Sequence, residues 1–336
     1  MNTKTNATGT SKSYPVRWGF VGTGNIATWM AEVVNTTPAA TLCAVASRHL
    51  ARAQSFATEF GVERAFDSWA EMFAWDDLDA VYVSTPTSLR EEISIAAANA
   101  GKHVLGEKPF ANLRSLERIT AACRENEVAF MDATHFVHHP RYAEIQQGAA
   151  EMIGRPRSLE SNFLISLTNR EDIRYDPALE PLGAIGDLGW YNMRATLEYL
   201  APAVSLRAAT AQLQRDTATG AIIAGQGSLT FDDDSVSHWQ CGFDAATVDI
   251  GLTLSGSLGV LRMDNFIGED EDHAASYRRT DGSDVSVSSR QSGPALMFED
   301  FAAAIGDASL RERWMQASER TQALLDAAMG ARRTDV

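Results

Sequence analysis

A lysine that directly follows a predicted buried strand is the first candidate for chemistry in this sequence. Glu107-Lys108-Pro109 comes after the apolar stretch at residues 103–106. Doubly wound α/β folds bind their ligands at the carboxyl ends of parallel strands, and a lysine placed there can take part in proton transfer with a substrate. By itself the tripeptide is also typical of a surface turn, which Pro109 would fix, for example as a cis peptide.

A glycine-rich turn near the N-terminus predicts a dinucleotide site. Directly after the predicted strand at residues 16–21, the chain reads Gly22-Thr23-Gly24-Asn25-Ile26-Ala27. Gly22 permits a tight turn, Gly24 lets the backbone approach a pyrophosphate, and Ala27 lets helix and strand pack closely. The unpaired N–H groups of the following helix then bind the anion. The alternative is a glycine turn of purely structural use.

The residues after the second predicted strand favour NADP over NAD. An NAD site places an Asp or Glu there to bind the ribose hydroxyls. This chain has Ser47 and Arg48, followed by Arg52 one helical turn later. A hydroxyl and a guanidinium can bind a 2′-phosphate, which a carboxylate would repel. The alternative is that both arginines are solvated residues at a helix start.

Strands and helices alternate through the first part of the chain, which predicts a parallel doubly wound sheet. Such strands are covered on both faces and therefore read as apolar runs. The predicted strands lie at residues 16–21, 41–46, 62–65, 80–84, 103–106 and 128–131.

The second part carries longer alternating stretches, which indicate a large, mostly antiparallel open sheet. The fold class is therefore α/β, with a Rossmann domain at residues 15–135 and an α+β substrate-binding and oligomerisation domain at 136–336. Residues 1–14 are interpreted as a disordered lead. The stretches and helices lie at residues 157–167, 204–213, 221–231, 236–243 and 248–254, and at about 140–152, 187–199 and 297–331, the last helix packing on the Rossmann domain.

Composition excludes several classes of function. The 336 residues carry 29 Lys plus Arg against 44 Asp plus Glu, a formal charge of −15. Nucleic acids and anionic membranes attract cationic proteins, so neither is an expected partner. The sequence shows no apolar stretch long enough for a membrane span and no secretory signal, and its three scattered cysteines suggest a reducing compartment. We therefore expect a cytoplasmic protein with a small-molecule ligand.

Three histidines near the domain boundary invite a metal interpretation. His135, His138 and His139 have a spacing that could share one helical face, but Pro140 disfavours a continuous helix through them. We predict no metal site. A role for one of them in the substrate pocket or between the domains is favoured, and His135 and His139 are the candidates for the pocket.

The combination of these motifs resembles the Gfo/Idh/MocA oxidoreductase family, which includes glucose–fructose oxidoreductase and inositol dehydrogenase. The resemblance extends over both halves of the chain. It is carried by residues 17–27, by Ser84-Thr85-Pro86, by residues 100–109 and by Asp187-Leu188-Gly189-Trp190-Tyr191.

The resemblance implies site residues in both domains. The cofactor-binding set comprises Gly22, Thr23, Gly24, Asn25, Ile26, Ser47, Arg48, Arg52, Ser84, Thr85, Pro86, Glu107 and Lys108. Lys108 is implied as the catalytic or substrate-orienting lysine, with Asp187 at the substrate. Trp190 is a further candidate for the pocket. Arg90 replaces a common family histidine, and Val137 a common arginine.

Tyr191 stands where many members have His, which resembles the branch with dimeric dihydrodiol dehydrogenase and NADP-linked xylose dehydrogenase. In that branch the tyrosine is implied as the general acid/base. Asp187 and Tyr191 are four residues apart and would share one helix face. A neighbouring Lys108 cation is expected to lower the pKa of the tyrosine.

The leading hypothesis is an NADP-dependent oxidoreductase that transfers hydride between nicotinamide and a secondary alcohol or hemiacetal carbon of a sugar, polyol or cyclic diol. The alternatives are a tightly bound NADP that cycles within the enzyme and a non-catalytic dinucleotide-binding regulator of the same fold. A homodimer or homotetramer is implied by the family's open sheet.

Overall fold

The computed structural model describes residues 15–201, 205–268, 274–289 and 292–330. The lead predicted at residues 1–14 lies outside these ranges. From Val16 to Asp132, strands alternate with helices in the order β1 (Val16–Val21), α1 (Asn25–Asn35), β2 (Ala40–Ala46), α2 (Leu50–Phe60), β3 (Arg64–Phe66), α3 (Trp69–Phe73), β4 (Ala80–Val83), α4 (Thr87–Asn99), β5 (His103–Gly106), α5 (Leu113–Glu125) and β6 (Phe130–Asp132).

The first sheet is parallel throughout, with the strand order β3-β2-β1-β4-β5-β6. This is the order of a Rossmann fold, so the prediction for this part of the chain is confirmed. Strand β4 at its centre is buried along its whole length, and Trp18 and Phe20 of β1 have no exposed surface. The short third strand begins at Arg64, two residues later than predicted.

The rest of the described chain builds a second, larger sheet and the helices that cover it. Its elements are α6 (Pro140–Ile153), β7 (Pro156–Ser166), α7 (Trp190–Ala195), β8 (Leu206–Arg215), β9 (Ile222–Phe231), β10 (Val236–Gly242), β11 (Asp244–Asp249), β12 (Leu252–Gly256), β13 (Val260–Met263), β14 (Ala274–Arg278), β15 (Asp284–Ser288), α8 (Gly293–Gly306) and α9 (Ala308–Gly330).

This second sheet is mostly antiparallel, as predicted. Within the described ranges it holds nine strands in the order β15-β14-β13-β12-β7-β10-β9-β8, with β11 also paired to β7. Strands β7 and β10 run parallel, and the other pairs run antiparallel. One face carries α7, where Asn192 donates to Ser161 at 2.8 Å. The opposite face exposes polar side chains such as Gln226 and Gln240.

The strand predicted at residues 248–254 is wrong as a single element. The chain breaks at Ile250–Gly251 and continues as two strands, β11 and β12, that both pair with β7. The cause is local hydrogen bonding, because the Asp249 carboxylate accepts from Gly251 N at 3.1 Å and from Asn162 Nδ2 at 3.0 Å. A short polar side chain that bonds its own backbone competes with the strand ladder.

The single C-terminal helix predicted at 297–331 is also wrong, since it is two helices that meet at Asp307. The Asp307 carboxylate accepts from Ser309 N at 2.8 Å and Leu310 N at 3.2 Å, which caps a new helix start. The second helix, α9, does pack on the Rossmann domain. Its Gln322 accepts from Phe110 N at 3.1 Å, and its Asp326 from Leu113 N at 2.7 Å.

No described helix combines the length and the apolarity that a membrane crossing requires.

Candidate active site

A cleft of about 570 Å³ lies where the carboxyl ends of β1, β4 and β5 face α7 and β7. Predicted cofactor residues and predicted catalytic residues meet in it. Those that line it are Gly24, Asn25, Ile26, Ser84, Thr85, Glu107, Lys108, His135, Asp187 and Tyr191. Gly22, Thr23, Ser47, Arg48, Arg52 and Pro86 are outside its lining.

The two glycines of the turn after β1 have different structural roles. Gly22 adopts φ +116°, and a Cβ there would lie 2.7 Å from the Ser84 Oγ atom. The fold itself therefore requires glycine at this position. Gly24 caps the N-terminus of α1, and a Cβ there would meet nothing within 4 Å. The protein does not need glycine at Gly24 for its own packing, so the open space in front of the helix is available to a ligand.

A second observation agrees with a dinucleotide in this space. The Thr85 Oγ1 atom is buried at the cleft and has no hydrogen-bond partner within the described residues. Buried hydroxyls are normally hydrogen-bonded, so a ligand that reaches Thr85 would supply the missing partner. The residues present therefore fit a nicotinamide dinucleotide whose pyrophosphate lies at the N-terminus of α1.

Ser47, Arg48 and Arg52 lie at the edge of the site, directly after β2. Gly22 N donates to Ala46 O at 3.0 Å. Ser47, the next residue after Ala46, therefore lies beside the glycine turn. Both arginines are exposed, and neither guanidinium has a hydrogen bond or ion pair in the part of the chain that is described. Both guanidinium groups are therefore available to bind an anion.

Lys108 forms the centre of a polar cluster in the cleft. Its ammonium donates to the Asp187 backbone O and to Asp187 Oδ1, both at 2.7 Å. It also lies 4.8 Å from the centre of the Tyr191 ring. The structure thus brings the three predicted catalytic residues together, and the Lys108–Pro109 peptide is cis.

Arg90 holds the turn that carries Lys108. Its guanidinium donates to Pro109 O at 2.6 Å and to Thr85 O at 2.9 Å, which ties the loop after β5 to the loop after β4. Glu180 completes the contact, because it accepts from Thr87 N at 3.0 Å. Arg90 therefore has a structural role in the site, where it connects these two loops.

Arg174 is a site residue that the sequence did not reveal. It sits in the connection between β7 and α7, and its Nε donates to Asp187 Oδ2 at 2.6 Å. Burial by itself would raise the pKa of Asp187, but Lys108 and Arg174 together hold it well below its usual range. Asp187 therefore stays ionised between two cations. No periodicity marks Arg174, since its place depends on the path of an irregular loop.

Tyr191 differs from the expectation in its proton affinity. Burial raises its pKa well above the usual value, and the nearby carboxylates of Glu107 and Asp187 add to the effect. The predicted lowering by Lys108 is wrong, because burial and the neighbouring carboxylates determine the direction of the shift. The Tyr191 hydroxyl has no hydrogen-bond partner within the described residues, so it is a protonated donor that faces the cleft.

The helical spacing of Asp187 and Tyr191 is also less regular than expected. Asp187 belongs to a π-helical turn, Ile185–Gly189, that runs into α7. A second π-helical turn, Thr196–Leu200, follows α7. Both side chains nevertheless line the cleft on either side of Lys108. The spacing of four residues predicted that Asp187 and Tyr191 lie close together, but it did not predict the π-helical turn.

Glu107 lies beneath this cluster. Its carboxylate accepts from the Tyr82 hydroxyl at 2.5 Å. Burial raises the pKa of Glu107, an effect that Lys108 opposes.

Of the three predicted pocket residues, His135 alone lines the cleft. Its ring packs edge-on against Tyr191 at 5.9 Å, and burial lowers its pKa to about 3. Trp190 is fully buried behind the cleft, where its Nε1 donates to Thr134 Oγ1 at 2.7 Å. His139 caps α6 and accepts from Arg141 N at 3.1 Å. The pocket prediction is therefore wrong for Trp190 and for His139, because packing and capping determine their positions.

A Rossmann sheet with an open glycine turn and a Lys–Asp–Tyr cluster at its carboxyl edge defines a nicotinamide-dependent oxidoreductase. The chain belongs to the GFO/IDH/MocA oxidoreductase family. The family's model for the NAD-binding Rossmann domain matches residues 16–134, and its C-terminal domain model matches residues 146–262. The resemblance seen in the sequence is confirmed.

Similar proteins of known activity act on sugars. The dTDP-3,4-didehydro-2,6-dideoxy-α-D-glucose 3-reductase of Streptomyces antibioticus is 31% identical over 320 residues, 89% of this chain and 96% of the relative. The D-xylose 1-dehydrogenase (NADP(+)) 2 of Haloferax volcanii is 32% identical over 203 residues, 60% of this chain and 61% of the relative.

The fold is also similar to that of a solved 3-ketoreductase from Actinomadura kijaniata in complex with NADP and TDP-benzene. The TM-score is 0.85 at 28% identity, covering 95% of this chain and 98% of that chain.

Proposed function

We propose that this protein is an NADP-dependent oxidoreductase that transfers hydride between nicotinamide and a carbinol or carbonyl carbon of a sugar or related polyol. The Lys108–Asp187–Tyr191 cluster carries the proposal, because it shares one cleft with the open turn at Gly24. The sugar and NADP assignments of the relatives support it. When bound, the cofactor supplies or accepts the hydride.

The roles of the three residues follow from their protonation. The raised pKa keeps Tyr191 protonated at neutral pH, so its hydroxyl donates a proton to the substrate oxygen when a carbonyl is reduced. Lys108 is the second donor toward that oxygen, and its charge stabilises the alkoxide as it develops. Asp187 fixes the Lys108 ammonium by accepting its hydrogen bond at 2.7 Å.

The residues after β2 carry the preference for NADP. Arg48 and Arg52 are exposed and free of ion pairs within the described chain. A guanidinium binds a phosphate through charge-assisted hydrogen bonds. We assign Ser47, Arg48 and Arg52 to the 2′-phosphate, and Gly22, Thr23, Gly24, Asn25 and Ile26 to the pyrophosphate.

Titration followed by turnover tests the function. NADPH and NADH are titrated into the purified protein by fluorescence, and hydride transfer is then followed with aldoses, polyols and keto sugars. Preferential NADPH binding with turnover of a sugar supports the proposal. Cofactor binding without turnover of any substrate indicates the non-catalytic regulator. Copurified NADP with ping-pong kinetics indicates the internal redox cycle. A protein that binds no cofactor contradicts the proposed function and both of these alternatives.

Three further assignments complete the proposal. The domains divide at residues 135 and 136, between the end of β6 at Asp132 and the start of α6 at Pro140. The exposed polar face of the second sheet is the surface for a homodimer or homotetramer, and sedimentation of the purified protein tests this. A cytoplasmic location stays a prediction.

A further inference from the structure

We propose that the substrate half of the cleft selects an uncharged sugar and excludes one that carries a phosphate or a nucleoside diphosphate. This inference rests on the proposed function and deepens it. The relatives include both kinds of enzyme, since one reduces a dTDP-linked sugar and another is named for D-xylose. The charges in the cleft favour the second kind.

Every cation that lines the described part of the cleft is already engaged. The Lys108 ammonium donates twice to Asp187. Arg174 donates to Asp187 at 2.6 Å and to Asp172 at 3.3 Å. Arg90 donates to two backbone carbonyls and lies 3.8 Å from Glu180. At each of these cations a phosphate would meet a carboxylate or carbonyl oxygen already in place, which offsets the attraction of the cation for a second anion.

Carboxylates outnumber these cations. Those that line the described cleft are Glu107, Glu171, Asp172, Glu180 and Asp187, against Lys108, Arg90 and Arg174. The excess persists if buried Glu107 is protonated. Glu171 is exposed, and its carboxylate has no hydrogen bond or ion pair within the described residues. This half of the cleft therefore presents an uncompensated negative charge to a ligand.

Sugar hydroxyls suit such a lining, whereas phosphates do not. A hydroxyl donates to a carboxylate and accepts from an ammonium or a phenol, so it adds to paired groups without breaking them. A phosphate offers only acceptor oxygens and negative charge at neutral pH, and like charges repel. The free guanidinium groups, Arg48 and Arg52, lie instead after β2, where the cofactor phosphate is assigned.

The experiment uses NADP-saturated protein, so that added phosphates do not compete for the cofactor site. Thymidine diphosphate, glucose 6-phosphate and free sugars are titrated by calorimetry, and the phosphates are tested as inhibitors of turnover. We expect free sugars to bind and turn over. At the concentrations at which a free sugar saturates the enzyme, thymidine diphosphate and glucose 6-phosphate should neither bind nor inhibit. Thymidine diphosphate or a phosphorylated sugar that binds more tightly than free sugar would overturn the inference.

A charge variant makes the same test independent of the natural substrate. Glu171→Gln should raise the affinity for glucose 6-phosphate severalfold, and added salt should reduce the gain because exposed charges are screened. Glu125→Gln, at an exposed end of α5, makes the same change away from the cleft and should have no effect. Equal responses of the two variants would contradict the inference.

These outcomes separate the two proposals. Tight phosphate binding together with NADP-dependent turnover overturns the inference and leaves the proposed function intact. NADPH binding with no sugar bound or turned over, phosphorylated or free, contradicts both.

Discussion

Directly after β2, outside the lining of the cleft, Arg48 and Arg52 are exposed and unpaired within the described chain, whereas inside the cleft Lys108 and Arg174 both hold Asp187. The two regions use cationic side chains for different purposes. A free guanidinium is available to bind a ligand's phosphate, while a paired cation keeps a fixed position and charge. The pairing state of a cation therefore says more about its role than its presence does.

The glycine turn and the catalytic cluster show the same contrast in packing. In front of Gly24 the protein leaves space that it does not use, and Thr85 Oγ1 lacks a partner. Around Lys108 the charged groups are already paired, with Asp187 held from two sides. One end of the cleft is completed by its ligand, and the other is organised before the ligand arrives.

Replacement of Lys108 tests the organised end and has the largest expected effect. Lys108→Met removes the second donor to the substrate oxygen and one of the two cations on Asp187, so kcat/KM should fall about 1,000-fold. NADPH affinity should change little, since the open turn at Gly24 is intact. Steady-state kinetics and fluorescence titration measure the two quantities.

Lys102 provides a matched control. It is also buried, but its ammonium donates to the backbone carbonyls of Trp75 and Leu78 at 3.0 and 2.9 Å. Lys102→Met should lower the melting temperature and leave turnover per folded molecule unchanged. A Lys108→Met enzyme that retains a tenth or more of its activity would show that the cluster is not the reacting end.

The two glycines of the turn should separate folding from binding. Gly24→Ala should keep the melting temperature and weaken NADPH binding about 10- to 100-fold, because the methyl group occupies the approach of the pyrophosphate to the N–H groups. Gly22→Ala should cost about 1–3 kcal/mol of stability, because alanine is strained at φ +116°. Thermal unfolding measures the stability of each variant, and titration with NADPH measures its cofactor affinity. Equal losses of stability in the two variants would contradict the different roles assigned to Gly22 and Gly24.

Acid should destabilise the protein through two half-buried histidines that are neutral in the folded protein. Burial lowers the pKa of His135 to about 3 and of His103 to about 4. The unfolded chain binds these protons near pH 6.5 and the folded protein does not, so their contribution to stability is complete above pH 6.5 and is lost as the pH falls. From pH 6.5 to 5 the loss is up to about 2 kcal/mol for each histidine.

His135→Gln should therefore flatten the dependence of unfolding free energy on pH, as measured by urea titration at pH 7 and 5. His238→Gln, on the exposed face of the second sheet, is the matched control and should leave the slope unchanged. If both variants reduce the slope of unfolding free energy against pH equally, the assignment of this pH dependence to His135 is wrong.

The smallest effect is expected at the free cations. Arg48→Ala removes one charge-assisted hydrogen bond to the 2′-phosphate, so NADPH should bind about tenfold more weakly while NADH binding stays the same. Arg114→Ala, on exposed α5, removes the same charge elsewhere and controls for the change in net charge. If NADH binds wild-type protein as tightly as NADPH, the Ser47 and Arg48 assignment is wrong.

The elements that rest on local patterns could be predicted from the sequence. Apolar runs predicted the parallel sheet, and the proximity of Lys108 and Asp187 was predicted because motifs with fixed spacing mark both residues. The break at Asp307 was missed because the apolar pattern continues through it, and only a carboxylate that caps two N–H groups interrupts the helix. The break after Asp249 has the same kind of cause.

The rest of the site depends on tertiary structure. Arg174 reaches Asp187 from an irregular loop, and no spacing rule predicts that path. Trp190 and His139 carry suitable chemistry but point into packing and a helix cap. The pKa of Tyr191 was predicted with the wrong sign because one neighbour, Lys108, was considered without the burial and the carboxylates that act with it.

The contact between α9 and the turn after Pro109 has a consequence for synthesis. Leu113 N donates to Asp326, a residue 213 positions further along the chain, and Phe110 N donates to Gln322. At about 5–20 residues per second, a ribosome needs about 10–40 s to add that stretch. During this time the loop that carries Lys108 in the nascent Rossmann segment lacks two of its final hydrogen bonds, so the site is completed only after α9 has been synthesised.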